Sequence, residues 1–216
     1  MTMPDTPPRR RRVLNAGSGP ANGRELPTPF SPGLWDEVRL DVEPALEPDH
    51  VASLSDMRGV IADASFDAVW SSHSLEHIFG FDVPDALAEF RRVLKPDGFA
   101  VVTCPDVESV AAAVVEHGLD HVAYMAPVGP ITLHDILYGH SASIKGGALA
   151  MAHRTGFTAR RLGELALDAG FAEVAVGRGP DYDLWGVLML AGTDQARLER
   201  ELAASPAGFV FAPPAT

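Results

Sequence analysis

Two apolar runs with a helical pattern between them constrain the fold of this chain more than any other feature. Residues 65–72 (Ser-Phe-Asp-Ala-Val-Trp-Ser-Ser) and residues 99–104 (Phe-Ala-Val-Val-Thr-Cys) predict buried strands. Residues 83–94 carry apolar side chains at helical spacing, which predicts a helix with one apolar face. A strand, a helix and a second strand in this order are typical of parallel sheets with helices on both faces.

The rest of the chain continues this alternation and indicates the limits of one domain. Residues 1–11 and 204–216 contain many prolines, so we expect them to be tails outside a domain that spans residues 12–203. Glycines, prolines and histidines break the pattern within residues 106–155, which we interpret as an insertion that caps a site. Further strands are predicted at residues 12–15, 37–41, 49–54, 171–178 and 182–191, and further helices at residues 107–117, 158–169 and 193–203.

Charge and cysteine content exclude several functional classes. The formal net charge of −12 repels phosphate backbones, so we expect no nucleic-acid partner. No apolar run approaches the roughly 18 residues that span a bilayer, and we expect a cytoplasmic protein without a membrane partner, either a monomer or a homodimer. The single cysteine, Cys104, cannot form an intramolecular disulfide or a cysteine-cluster metal site. The basic residues 9–12 leave two interpretations, a solvated tail or a contact with nucleic acid or membrane.

A glycine turn and an acidic residue follow the first two predicted strands. The turn, Asn15-Ala16-Gly17-Ser18-Gly19, contains two glycines that let the backbone approach a ligand closely. Asp41 ends the second strand, where a carboxylate can accept hydrogen bonds from ribose hydroxyls, although aspartate is also an ordinary turn residue at a strand end. Prolines within residues 20–36 prevent a long helix after the turn. Because a phosphate site needs a helix N-terminus, this segment disfavours an NAD(P) oxidoreductase.

Four segments together resemble a known family. In chain order they are Val-Leu-Asn-Ala-Gly-Ser-Gly (13–19), Phe-Asp-Ala-Val-Trp (66–70), Ser-His-Ser-Leu-Glu-His (72–77) and Arg-Arg-Val-Leu-Lys-Pro-Asp-Gly (91–98). This combination is similar to class I methyltransferases of the type-11 group, which depend on S-adenosylmethionine (SAM). The resemblance implies a Rossmann-like α/β fold with a seven-stranded sheet, mostly parallel with one antiparallel strand. It also implies SAM as cofactor and methyl transfer, which we expect to act on a small molecule, a metabolite or natural-product intermediate.

The resemblance also implies which residues contact the cofactor. Gly17 and Gly19 match the glycines that line the methionine and ribose parts of SAM, and Asp41 matches the ribose-binding acid. Asp56 and Met57 match the pair that meets the adenine, with Ser53 as a rival for the position of that aspartate. The implied cofactor site comprises Asn15, Ala16, Gly17, Ser18, Gly19, Asp41, Val42, Asp56, Met57, Ser72 and His73.

Asn15 departs from the family pattern. It replaces the usual acid of the first motif, and Ala21 stands where a third glycine often lies. A neutral side chain at position 15 can still accept a hydrogen bond, but we expect a weaker cofactor affinity or a differently shaped pocket. These departures keep a non-catalytic protein with a SAM-binding fold as an alternative.

Histidines after the fourth strand are the candidates for acid–base chemistry. His73 and His77 lie four residues apart and would share a face if that segment were helical. Histidine has a suitable pKa for a general base, which is needed only when the acceptor carries a proton. The alternative is that His77 is structural and bonded to the backbone. In the cap, His134, Tyr138, His153 and Arg154 indicate an acceptor pocket, or else a solvated loop.

A zinc enzyme is the remaining alternative. His73-x-x-Glu76-His77 fits the His-x-x-Glu-His pattern of inverted zinc peptidases, in which two histidines bind the metal and the glutamate acts as base. The motif directly follows a buried strand that the sheet pattern already explains. We therefore predict a methyltransferase without a metal site.

Overall fold

The computed structural model describes residues 10–21, 26–27, 30–31 and 33–211. The strands are Arg11–Ala16 (β1), Trp35–Asp41 (β2), His50–Val51 (β3), Phe66–Ser72 (β4), Leu94–Pro105 (β5), Val122–Ala126 (β6), Gly129–Thr132 (β7), Glu173–Arg178 (β8) and Asp183–Met189 (β9). The α-helices are Val83–Val93 (α1), Val107–His117 (α2), Leu133–Tyr138 (α3), Ser141–Lys145 (α4), Ala159–Asp168 (α5) and Gln195–Leu202 (α6). Short 3-10 helices occupy Pro44–Leu46, Leu75–His77, Leu149–Met151 and Gly208–Phe211.

One seven-stranded sheet organises the molecule, in the order β3-β2-β1-β4-β5-β9-β8. The pairs from β3 to β5 are parallel, whereas β9 runs antiparallel to both of its neighbours. This confirms the predicted fold class, including the single antiparallel strand. The carboxyl ends of β1, β2 and β4 therefore meet at one edge, where ligands bind in sheets of this kind.

The first face of the sheet is covered by α1 and α5. Apolar side chains of α1 at helical spacing, including Leu87 and Phe90, are fully buried against the sheet. The α5 helix begins after Thr158, whose hydroxyl accepts a hydrogen bond from the backbone N–H of Arg161. That cap satisfies one of the unpaired N–H groups at the helix start and fixes where Leu162 enters the core.

The second face is covered by an aromatic cluster and the C-terminal segment. We call this the aromatic cluster: Val13, Phe30, Trp35, Ala68, Trp70, Phe99, Val101, Val187, Met189, Leu198, Leu202 and Ala207. It includes Ala207 and is packed by Phe211, so residues of the predicted C-terminal tail contact the second face of the sheet. The predicted tails at residues 1–9 and 212–216 lie outside the described residues.

The described residues of the basic segment, 10–12, make intramolecular contacts at the start of β1. Arg11 already belongs to β1, forms an ion pair with Glu201 at 2.8 Å and stacks over the ring of Trp35 at 4.2 Å. Arg12 stacks over the ring of Phe66 at 4.6 Å. The domain therefore begins before residue 12, because partners distant in sequence fix these side chains.

The cap packs around a small apolar cluster of its own. Val110 and Ala113 of α2 contact Ile131, Leu133 and Ile136, which lie in the β6–β7 hairpin and α3.

Between β1 and β2, the described residues form no helix, as the prolines predict. The predicted strand at 49–54 is only the two-residue β3. Within the described ranges, no helix has the length and apolarity to cross a membrane.

Candidate functional site

The glycine turn after β1 lies at the edge of the sheet where parallel strands end. Gly17 and Gly19 have φ values of 78° and 62°, in the region that favours glycine. A Cβ on Gly17 would lie 2.3 Å from Ser74 Oγ, so the turn passes very close to the loop after β4. A Cβ on Gly19 would meet no described protein atom within 4 Å, so the space beside it is open to a ligand.

The Asp41 carboxylate is tied to the same turn. Its Oδ2 accepts a hydrogen bond from the backbone N–H of Gly19 at 2.9 Å, and its Oδ1 accepts one from Glu43 N–H at 3.0 Å. A carboxylate has about four acceptor positions, so both oxygens keep capacity for ribose hydroxyls. Val42, beside it, is 62% exposed. Ala16, before the turn, is buried in the core and offers only backbone atoms to a ligand.

Asn15 and Arg39 orient the turn from neighbouring strands. The amide of Asn15 donates to Glu37 Oε1 at 2.7 Å, so the side chain is held against β2. The guanidinium of Arg39 donates to Gly19 O at 2.5 Å and to Glu47 O at 3.0 Å. Arg39 therefore holds the second glycine in place, a role that no sequence motif indicated.

The loop predicted to meet the adenine combines one exposed and one buried residue. Asp56 is exposed and bridges to Ser53, with its backbone N–H donating to Ser53 O at 3.2 Å. Met57 is completely buried in the core, and its N–H donates to Glu89 Oε2 at 2.7 Å. Whether Ser53 or Asp56 meets the adenine stays a prediction.

The loop after β4 places its polar side chains differently from a regular helix. Ser72 Oγ lies 3.0 Å from Thr103 Oγ1 on β5. His73 has a φ of 49° and precedes the 3-10 helix Leu75–His77, so His73 and His77 do not share a helical face as predicted. Instead, His73 Nδ1 lies 3.2 Å from Glu76 Oε1, and the Glu76 side chain is 1% exposed.

The cap brings two of its four candidate residues to this loop. The rings of His153 and His77 are edge to face with centroids 4.9 Å apart. Arg154 lies over the ring of Phe79 at 4.9 Å. His134 and Tyr138 instead pair with each other on α3, with ring centroids 5.0 Å apart. The polar cap residues therefore form two groups, and only the pair 153–154 contacts the loop after β4.

Comparison with known proteins gives this site its context. Residues 32–102, from before β2 into β5, match the family described as a methyltransferase domain. The matched segment, 71 of the 216 residues, is similar to methyltransferase domains. The open space beside Gly19 with the acceptor oxygens of Asp41 fits a nucleoside ligand. No curated protein sequence matches the chain.

Solved structures share the fold of this chain at low sequence identity. The 1,6-didemethyltoxoflavin-N1-methyltransferase of Burkholderia thailandensis is 18% identical, with a TM-score of 0.52 over 86% of this chain and 72% of that one. A SAM-dependent methyltransferase of Archaeoglobus fulgidus is 12% identical, with a TM-score of 0.56 over 83% and 86%. A possible histamine N-methyltransferase of Thermotoga maritima is 15% identical, with a TM-score of 0.53 over 84% and 83%.

Proposed function

We propose that this protein is a SAM-dependent methyltransferase that acts on a small-molecule acceptor, which binds between the loop after β4 and the cap of residues 106–155. The observation that carries the proposal is the contact of His153 with His77, whose ring centroids are 4.9 Å apart. His77 lies in the loop after β4, at the edge of the sheet where β1, β2 and β4 end. Arg154 adds a cation near the exposed ring of Phe79. Apolar and polar groups that converge under a cap are typical of small-ligand sites.

The residues after β1 and β2 are the ones we propose to hold SAM. When bound, SAM supplies a methyl group that is already activated on a sulfonium. Asp41 accepts hydrogen bonds from the ribose hydroxyls, and the turn through Gly19 leaves room for the nucleoside. Asn15, held by Glu37, forms the neutral wall of the site. The task left to the protein is alignment of the acceptor, because proximity supplies much of the rate.

His73 is the residue we propose to accept a proton from the acceptor. Donation from Nδ1 to Glu76 Oε1 at 3.2 Å fixes one tautomer and makes Nε2 the basic nitrogen. Burial would raise the pKa of Glu76, but the hydrogen bond and charge of His73 outweigh it and hold that pKa below its usual range. The buried carboxylate therefore stabilises positive charge on His73, whose side chain is 49% exposed and accessible to an acceptor.

Two observations support a small acceptor over a macromolecule. The net charge of −12 disfavours nucleic acids. The related structure from Burkholderia thailandensis contains 1,6-didemethyltoxoflavin, a small molecule, together with S-adenosylhomocysteine (SAH). A cytoplasmic location and a monomeric or homodimeric state stay predictions.

Transfer of a deuterated methyl group tests this proposal. The protein is incubated with CD3-labelled SAM and, separately, with the small-molecule and macromolecular fractions of a cell extract. We expect a trideuteromethyl mass shift among small molecules. We expect R154A to lose most of that label, while R160A, which removes an exposed arginine on α5 paired with Glu164, retains it. Label confined to the macromolecular fraction would contradict the proposal.

A further inference from the structure

We propose that Glu76, His77 and His153 bind a divalent transition-metal ion between the loop after β4 and the cap. One potential ligand atom from each residue lies within 4.8 Å of the other two. Ligand atoms around a metal with bonds of about 2.1 Å are roughly 3 to 3.5 Å apart, which modest side-chain rotations reach from this arrangement. Two histidines and one carboxylate form the ligand set of many mononuclear zinc and non-haem iron sites with open coordination positions.

The second oxygen of Glu76 is the observation that favours a cation at this place. Glu76 is 1% exposed, and its Oε1 contacts His73. Its Oε2 is buried and has no hydrogen-bond partner within the described part of the chain. An ionised carboxylate oxygen left unpaired in the interior costs free energy, so such an atom calls for a partner. A metal ion bound to Oε2 would supply that partner without disturbing the contact with His73.

His77 is oriented as metal-binding histidines usually are. Its Nδ1 lies 3.5 Å from the backbone carbonyl oxygen of Ala152. A ring nitrogen that donates to a carbonyl fixes the tautomer and leaves a lone pair on the other nitrogen. The His77 imidazole therefore has an outer contact of the kind that accompanies metal ligation.

The backbone fixes His153 beside the loop after β4. Its N–H donates to Tyr138 O at 3.1 Å, and the N–H of Arg154 donates to Glu76 O at 2.7 Å. The backbone carbonyl of Glu76 thus accepts a hydrogen bond from the cap, and the Glu76 side chain faces the same segment. The three ligands come from two segments that hydrogen bonds already hold together, so the metal would join the cap to the sheet edge.

This site differs from the one that the sequence motif predicts. The His-x-x-Glu-His motif pairs His73 with His77, whereas the structure groups His77 with His153 and leaves His73 as an outer partner of Glu76. Open positions on the metal would bind an ionisable oxygen or nitrogen of the acceptor and favour its deprotonated form. This role toward the acceptor rests on the proposed function, whereas metal binding itself does not.

Metal titration of the full chain tests the site directly. After dialysis against a chelator, the protein is titrated with Zn²⁺ by calorimetry and with Co²⁺ by visible absorption. We expect one ion per chain, and H153A and E76Q each to weaken binding about 100-fold or more, since even outer-sphere changes cost 10- to 100-fold. H121A is the matched control, because His121 stacks on His117 elsewhere in the cap and should leave the affinity unchanged.

SAH binding, measured on the same samples, separates the two proposals. If wild-type protein binds SAH but no metal, or if H153A and E76Q bind metal as tightly as wild type, the metal site is wrong and the methyltransferase function stands. If metal binds as expected while no acceptor is methylated, the metal site stands and the proposed acceptor role fails. Retained SAH binding by H153A shows that the variant is folded.

Discussion

Replacement of Gly17 or Gly19 with alanine tests the geometry of the turn after β1. Both glycines have positive φ values, so either alanine costs about 1 to 2 kcal/mol in the left-handed region. Only the Cβ at position 17 meets a neighbour, Ser74 Oγ at 2.3 Å and Ser74 Cβ at 2.6 Å. Overpacking of this kind costs a further 1 to 3 kcal/mol or so. We therefore expect G17A to lose about 2 to 5 kcal/mol and G19A only about 1 to 2 kcal/mol.

Urea unfolding of both variants isolates the contact with Ser74. The two alanines share the φ penalty and the same loss of unfolded-state freedom, so the difference between their unfolding free energies reports the clash. The double variant G17A/S74G removes the atoms that clash and should recover most of that difference. Equal destabilisation by G17A and G19A, or no recovery in the double variant, would refute the close approach of the turn to the loop after β4.

Calorimetry with SAH adds a second readout for position 19. A Cβ at Gly19 would project into the open space that we assign to the nucleoside. We expect G19A to weaken SAH binding about tenfold or more, equivalent to at least ~1.4 kcal/mol, despite its small effect on stability. Unchanged affinity in G19A would place the cofactor away from this turn.

Three further predictions concern charged and buried groups. We expect D41A to weaken SAH binding at least about tenfold in calorimetry, since hydrogen bonds to a charged group contribute roughly 1.5 to 3 kcal/mol. Hydrogen bonds from Arg92 hold the pKa of Glu89 below its usual range. The contribution of Glu89 to the free energy of unfolding is therefore fully present above its unfolded-state pKa of about 4.3 and declines as the pH falls through its folded-state pKa. In urea titrations, E89Q should be less stable than wild type at neutral pH and lose less stability on acidification; an equal loss would contradict this assignment. Burial raises the pKa of the Cys104 thiol, so a thiol reagent should label it only after unfolding, and rapid labelling of the native protein would be inconsistent with its position in the core.

Apolar periodicity predicted most elements of the sheet and the helices on its faces. The helix over 107–117 has the predicted bounds, because β5 ends at Pro105 just before it and Gly118 follows its last residue. Sequence patterns failed where pairing is non-local. The helix predicted over residues 83–94 ends at Val93, and β5 begins at Leu94 rather than at the predicted residue 99, since Leu94 pairs with Phe66 across an irregularity in the ladder. Likewise, Arg11 is in β1 because it pairs with Trp35 on β2.

The sequence predicted the positions of candidate residues that follow a strand, but not the contacts formed where two loops meet in space. Gly17, Gly19 and Asp41 lie at strand ends, and the structure places them at one edge of the sheet. The contact of Ser74 with the glycine turn depends on how two loops pack, which no local pattern encodes. The grouping of His153 with Glu76 depends in the same way on the path of the cap.

The aromatic cluster links the beginning of the chain to its end. Val13 and Trp35 are covered on this face by Leu198, Leu202 and residues beyond them. Because β1 and β2 are synthesised long before α6, these apolar side chains stay exposed to solvent until synthesis has passed residue 207. One face of the nascent sheet therefore stays apolar and exposed until late in translation, and variants truncated before residue 198 should accumulate as aggregates.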